Sequence, residues 1–338
     1  MRKALAIFAA ACALALGGCA HHAPPQPGQL TLGMVTDVGG LGDRSFNDSA
    51  YQGLLDARSR LGAYIQVLQS RSAADYQPNL TALTNLHYRM IYAVGFLMSL
   101  DLDQVAKENP GQSYAIIDAV VDDPNVVSIT FREQDGSFLA GALAAMVSKT
   151  HHIAFLGGQD IPLIEKFESG YIAGAREIDP QIKVDVKYAG SFEDVAAGKE
   201  LANVLFNDGA DIIYTAAGKV GLGAIDAVKS HDGDYIIGVD SNQDDLAPGR
   251  VLTSMVKKVD VAVFNVARSL QQGQPMRGHV EFGLKDGAIG LTDFKYTRAA
   301  IGDANLARLQ AIEAAIVGGK ITPPYTRAAL ATFQPVSL

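Results

Sequence analysis

The sequence predicts an α/β protein of two parallel-sheet lobes with a ligand cleft between them. Three observations carry that expectation. From Leu30 onward, short apolar runs rich in β-branched residues alternate with segments whose apolar residues recur at helical spacing. The rhythm runs through two successive sets of similar size. The first apolar run leads into Asp37 and then Gly39, Gly40 and Gly42, where open α/β sheets bind small molecules, outside the carboxyl ends of their strands.

Residues 31–36 read as a strand buried on both faces, and Asp43, Ser45, Phe46 and Asn47 then fall at the start of a helix over 47–61, marked by Ala50, Leu54, Ala57 and Leu61. A second strand is expected at 65–69, a helix from near Pro78, a third strand at 90–94, a helix over 100–108 ending before Pro110, and strands at 114–117 and 126–131. The second set opens with a helix of small residues over 134–148. It continues with strands at 153–156, 184–188, 211–215, 235–239 and 251–256, and with helices at 164–178, 195–207, 221–229 and about 260–271. Residues 283–294 look β-like, and 303–318 look like a closing helix.

The 338 residues, 48% of them hydrophobic, suffice for two cores. A net charge of −8 gives nucleic-acid binding no support. The amino terminus has its own pattern. Arg2 and Lys3 precede an apolar stretch over 4–16, and Leu16-Gly17-Gly18-Cys19 follows. This resembles a bacterial lipoprotein signal cut before Cys19, which is then acylated, while Cys12 is discarded and no disulfide within one chain remains. No second apolar run is long enough to span a bilayer, so the lipid is the expected anchor. The Pro- and His-containing segment after it reads as a tether, and adjacent His21 and His22 without further ligands are weak evidence for a metal site. The expected division is a signal peptide over 1–18, lipidated Cys19 and linker over 19–29, an N-terminal lobe over 30–133 plus about 259–282, and a C-terminal lobe over 134–258 plus about 283–338.

Asp37, Asp118 and Asp240 each follow an apolar strand directly. An aspartate there either caps the next element or faces a ligand, and three in equivalent places favour the second role for the set. Ionised carboxylates bind hydroxyl donors with about 1.5–3 kcal/mol per charge-assisted bond. Phe46 stands in a polar, glycine-rich loop, where an aromatic ring either staples the helix or stacks on a planar ligand. Phe167, early in its helix, suits core packing and ligand stacking equally. Gly157-Gly158 and the turn around Gly218 either admit a ligand or close a strand–helix corner. Lys257 and Lys258 end a strand, as a solvated pair or as a ligand-contacting amine. His151-His152 precedes a strand, at the wrong edge for the cleft, and the pairs Asp122-Asp123 and Asp244-Asp245 read as solvated acids rather than cation ligands. No GxSxG, CxxC, HExxH or phosphate-binding loop occurs, and no cofactor is expected.

The runs VTDVGGLGDRSFNDSAYQGL, AVGFLMS, YAIID, FREQDGSFLAG, FLGGQDIPLIEKFESGYIAGA, IIGVDSNQ and LTSMVKKVDVAV resemble the basic membrane lipoprotein (BMP) family, in collinear order over residues 30–266. Members are substrate-binding lipoproteins of ABC importers, and characterised ones bind purine nucleosides. The resemblance implies a periplasmic-binding-protein-like (type I) fold that closes about a hinge, an ABC permease partner, and an extracytoplasmic, lipid-anchored location with inner or outer membrane left open. It implies that Phe46 and Phe167 sandwich the base, that Asp118 and Asp240 bind ribose hydroxyls or base edges, and that Asp37 and Asn47 complete one wall and Gly218 and Lys257 the other. Lys219 departs from the pattern, in a loop where such proteins have small residues. Several carboxylates in one cleft favour a neutral nucleoside over a nucleotide. The alternatives are a binder of another neutral ligand such as a sugar, a nucleoside-processing enzyme using the aspartates, and a structural or signalling lipoprotein.

Overall fold

The computed structural model describes residues 24–336; the signal segment and Cys19 lie outside the described residues. The chain starts with β1 (Thr31–Thr36), α1 (Phe46–Leu61), β2 (Tyr64–Gln69), α2 (Tyr76–Asn85), β3 (Met90–Val94), α3 (Ser99–Glu108), β4 (Tyr114–Ile117) and β5 (Val126–Phe131). It continues through α4 (Glu133–Val147), β6 (His152–Gly157), α5 (Pro162–Ile178), β7 (Lys183–Tyr188), α6 (Val195–Asn207), β8 (Ile212–Ala216), α7 (Lys219–Val228), β9 (Tyr235–Asp240) and β10 (Val251–Lys257). The last part holds α8 (Val259–Gln271), β11 (Gly278–Phe282), β12 (Ile289–Leu291), α9 (Arg298–Ile301), α10 (Asp303–Val317) and α11 (Arg327–Leu330).

These strands form two six-stranded sheets of matching order, β11-β5-β4-β3-β1-β2 and β12-β10-β9-β8-β6-β7. The ladders are parallel except β10–β12. The inner strands β3, β4, β5, β6 and β8 are buried along their whole length, as strands covered by helices on both faces must be. The chain crosses between the sheets at Arg132, at Lys258 and along 283–288, and adjacent crossings are stitched to neighbouring strands: Arg132 N donates to Phe282 O at 2.8 Å and Lys258 N to Ala288 O at 2.8 Å.

Helices pack at glycines. A Cβ on Gly141 of α4 would lie 1.9 Å from Tyr171 O of α5, and one on Gly174 of α5 would lie 1.9 Å from Phe138 O of α4. The pair α6–α7 repeats this, with Gly198 and Gly223 each 2.0 Å from a facing carbonyl oxygen by the same measure. Backbone here touches backbone, which explains the small residues spread along α4: it is buried almost all round and fits only if thin.

One strand goes unannounced, and one expectation needs correction. Residues 278–282 form a strand that the sequence does not announce. Its side chains are largely exposed, and His279 and Glu281 interrupt any apolar run, so pairing with β5 alone defines it. Conversely, the β-like stretch 283–294 yields only β12, because a 3₁₀ turn over Leu284–Asp286, closed by Gly287 at φ 62°, occupies its first half.

Gly141→Ala is expected to lower stability by roughly 1–3 kcal/mol, since the facing carbonyl is backbone and cannot rotate away. Gly111→Ala, with open space around the added methyl, is expected to stay within about 0.5 kcal/mol of the wild type. Urea midpoints at unchanged slope measure both; equal effects would remove the packing argument.

Candidate functional site

The carboxyl ends of both sheets face one narrow cleft. Its cavity volume is about 60 Å³. Asp37, Phe46, Asn47, Asp118, Phe167, Gly218, Asp240 and Lys257 all line it. The structure therefore brings these eight residues together, while Gly157 and Gly158, covered by Tyr188 and Phe192, stay outside the lining.

Lys257, the last residue of β10, lies at the centre. Its side chain is 2% exposed, with Nζ 2.6 Å from Asp118 Oδ2, 3.6 Å from Glu133 Oε1 and 3.8 Å from Asp240 Oδ1. The same ammonium lies 4.8 Å from the ring centre of Phe46 and 5.5 Å from that of Phe167, one ring from each lobe. Burial works against this charge, but Asp118, Asp240 and Glu133 outweigh it and hold the lysine pKa above its ordinary value.

Asp118 and Asp240 occupy equivalent places. Asp240 ends the third strand of its sheet and Asp118 directly follows the third strand of the other, and each has a left-handed backbone, φ 69° for Asp118 and 62° for Asp240. This conformation is uncommon outside glycine and costs of order 1 kcal/mol or more. Here it turns two carboxylates from opposite lobes onto one lysine. Ser45 Oγ donates to Asp240 Oδ2 at 2.6 Å across the cleft. Burial pushes the Asp240 carboxyl up to about 6, against the pull of Lys257 and Ser45.

Asp37 follows β1. Its Oδ1 accepts from Gly39 N at 2.9 Å and from Asn47 Nδ2 at 2.8 Å. Burial pushes it up to about 6, opposed by those two bonds. Gly95 faces it so closely that a Cβ there would stand 3.1 Å from Asp37 Oδ2. The start of α1 is capped by Asp43, whose carboxylate accepts from the amides of Ser45, Asn47 and Asp48 at 2.7–3.0 Å. Phe46 is thereby fixed in the first turn of α1. Two buried oxygens of the lining, Asn47 Oδ1 and Asp118 Oδ1, have no hydrogen-bond partner among the described residues. Such atoms are costly unless a ligand or water meets them.

A model of the Bmp family, described as ABC transporter substrate-binding protein PnrA-like, matches residues 30–317. The chain belongs to this family. It is 34% identical over 348 residues to the ABC transporter nucleoside-binding protein BmpA of Lactococcus lactis subsp. cremoris, covering 95% of this chain and 98% of that one. It is 35% identical over 320 residues to the CD4+ T-cell-stimulating antigen of Listeria monocytogenes, covering 87% and 88%. Among solved structures, the ABC transporter system solute-binding protein from Aeropyrum pernix is similar, with a TM-score of 0.83 and 27% identity over 90% of this chain and 96% of that one. The protein is thus an ABC-transporter substrate-binding protein of the Bmp family with the two-lobed, periplasmic-binding-protein-like α/β fold. That family is one of substrate-binding proteins rather than enzymes, and its role implies a small-molecule ligand and a permease partner.

Other parts of this Bmp-family cleft escape the sequence reading. Phe192, in the loop after β7, and Ile161, Leu163 and Ile164, around the start of α5, give one wall an apolar face. Their only sequence signal is position beyond a strand's carboxyl end. Glu133 is fully buried beneath Lys257, and Lys166 Nζ lies 3.1 Å from its Oε2. Burial raises its pKa while the two lysines lower it. Lys219 is outside the lining, but its Nζ lies 3.9 Å from where a Cβ on Gly40 would stand, so it reaches across the mouth to the other lobe. Lys258 is exposed at the start of α8. His151 and His152 pair with Asp179 and Asp185 at the amino end of β6. Asp244 is buried and accepts from Ser254 Oγ, while the exposed Asp245 pairs with Lys295. Among the described residues no group of three or more His, Cys, Asp or Glu could hold a metal ion.

The Asp37 shift has a signed consequence. Its folded pKa of about 6 exceeds the ordinary 3.8, so the folded state holds a proton that the unfolded chain has lost between those values. Its contribution to stability therefore declines as pH rises from about 4 through about 6. Asp37→Asn keeps an acceptor for Gly39 N and removes the titration. The stability of Asp37→Asn relative to wild type is expected to rise across that window by on the order of 1–3 kcal/mol, measured by urea unfolding of ligand-free protein. A pH-independent difference would reject the burial argument.

Proposed function

We propose that this protein binds a purine nucleoside between its lobes and delivers it to the permease, as a lipoprotein anchored through Cys19 at the extracytoplasmic face of a bacterial membrane. The observation that carries the ligand class is one aromatic ring from each lobe, Phe46 and Phe167, against a single slot whose edges are carboxylates and an amide. Stacking on such rings is worth roughly 1–3 kcal/mol per base. The unpaired Asp118 Oδ1 and Asn47 Oδ1 are acceptors for ribose hydroxyls or base amino groups. Asp37 adds a further carboxylate, Gly218 forms part of the opposite wall, and Lys257 holds Asp118 and Asp240 in place. The name of the Lactococcus relative supports the same ligand class.

Asp37, Asp43, Asp118 and Asp240 in one lining outnumber the single lysine there, which disfavours a phosphate. A slot with room for only a few waters requires the lobes to part before a nucleoside enters, and the three crossings are where the chain lets them. The lobe division that follows gives 30–131, α8 and β11 to one side and the remaining elements to the other.

Calorimetric titration with adenosine, guanosine, inosine, uridine, AMP and ribose is the direct test. Micromolar or tighter binding of a purine nucleoside at one site per chain is expected, with AMP at least tenfold weaker than adenosine. Equal or tighter AMP binding, or binding of ribose alone, would reject the reading. Phe46→Ala is expected to weaken the nucleoside by at least tenfold, in keeping with roughly 1–3 kcal/mol of stacking, with an unchanged far-ultraviolet spectrum. An unchanged affinity would remove Phe46 from the site.

A further inference from the structure

The apolar wall of the second lobe hangs on one short segment. Ile161, Leu163, Ile164 and Phe167 all lie between residues 160 and 168, at the start of α5. The same segment carries Asp160, Glu165 and Glu168, and all three meet Arg327 from the C-terminal end of the chain. Arg327 Nη2 donates to Asp160 Oδ1 at 2.7 Å and to Glu168 Oε2 at 2.7 Å, and its Nε lies 3.1 Å from Glu168 Oε1. Its backbone N–H donates to Glu165 Oε1 at 2.6 Å. Nη2 also bonds Tyr188 OH at 3.0 Å, and Tyr188 OH in turn donates to Glu168.

This differs from an ordinary surface ion pair. The Glu168 side chain is 7% exposed, and it follows Phe167 directly in α5. A buried carboxylate with two oxygens facing one guanidinium fixes direction as well as distance. Tyr188 extends the clamp inward: a Cβ on Gly157 would stand 2.4 Å from its ring and 3.1 Å from Ile164. Thr326 accepts from Ala329 N at 3.1 Å and so caps α11, which anchors the arginine's own backbone. The segment after α11 is held as well, since Val336 N donates to Glu177 Oε2 at 2.8 Å and the Phe333 ring meets the Phe138 ring edge-on at 5.9 Å.

We propose that Arg327 is a positioning residue for ligand binding: the C-terminal segment uses it to hold residues 160–168, and hence the Phe167 ring, in the orientation that closes the cleft. Arg327 does not line the cleft and acts through α5. The inference rests on the nucleoside reading only where it concerns affinity; the holding of residues 160–168 is independent of it.

The test has two arms on the folded domain. In ligand-free protein, Arg327→Ala is expected to raise hydrogen exchange at least tenfold over residues 163–168, while the strands of the first sheet keep their protection. Unchanged exchange there would overturn the proposal, whatever the ligand. With adenosine as probe, Arg327→Ala is expected to weaken binding about tenfold and Arg327→Lys less, since lysine restores one ion pair without the fork. In a Phe167→Leu background the Arg327→Ala loss is expected to shrink to twofold or less, because the ring it positions is gone. Equal losses in both backgrounds would overturn the positioning role. Failure of wild-type protein to bind adenosine would count against the nucleoside reading alone, and the exchange arm would still decide the clamp. Should Arg327→Ala fail to fold, Arg327→Lys carries both arms.

Discussion

A buried ammonium and the carboxylates around it are the constraint on which the cleft depends. Lys257 is almost wholly withdrawn from water, and a lone charge there would be heavily penalised. Asp118 from one sheet and Asp240 from the other satisfy it, with Glu133 beneath. Removing one member of such a buried group typically costs about 3–5 kcal/mol, because the remaining charges are stranded. The arrangement therefore specifies more than it stabilises. It sets the distance between two strand ends that belong to different sheets, and it draws the Phe46 and Phe167 rings toward one point.

Within each lobe the packing is close, down to helix backbones meeting at Gly141, Gly174, Gly198 and Gly223. Across the cleft the contacts are of another kind. Ser45 Oγ reaches Asp240, Ser241 Oγ reaches Ser45 O, and Gln243 Nε2 reaches Arg44 O. Polar bonds of this kind are ones that water can replace, whereas glycine-packed helices hold dispersion contacts that water does not replace.

Much of this was legible in the sequence because α/β topology turns position along the chain into position in space. A residue just beyond a buried strand is at the carboxyl edge, so Asp37, Asp118 and Asp240 were readable from local pattern. So was Phe46, conspicuous in a polar loop. What escaped was defined by neighbours distant in sequence. β11 is a strand only because β5 pairs with it. Phe192 and Leu163 look like ordinary loop and helix-start residues until the lobes face each other. Glu133 looks like a helix-start acid, and only the arrival of Lys257 from β10 and Lys166 from α5 shows why it is buried. Lys257 and Lys258 are indistinguishable by type. The register of β10 separates them, turning one inward and leaving the next exposed.

The matched strand orders explain why the strain sits where it does. An aspartate with positive φ stands at or directly after the last residue of the third strand in each sheet. Asparagine would tolerate that backbone, and glycine would relieve it. Neither would carry the charge that Lys257 requires. Had either aspartate kept an extended backbone, its side chain would continue the alternation of its strand and point to a helix-covered face rather than along the strand axis into the cleft. The left-handed residue breaks that alternation at its last step. Both lobes use the same device, and the two carboxylates converge on one cation because the sheets that carry them are built in the same order.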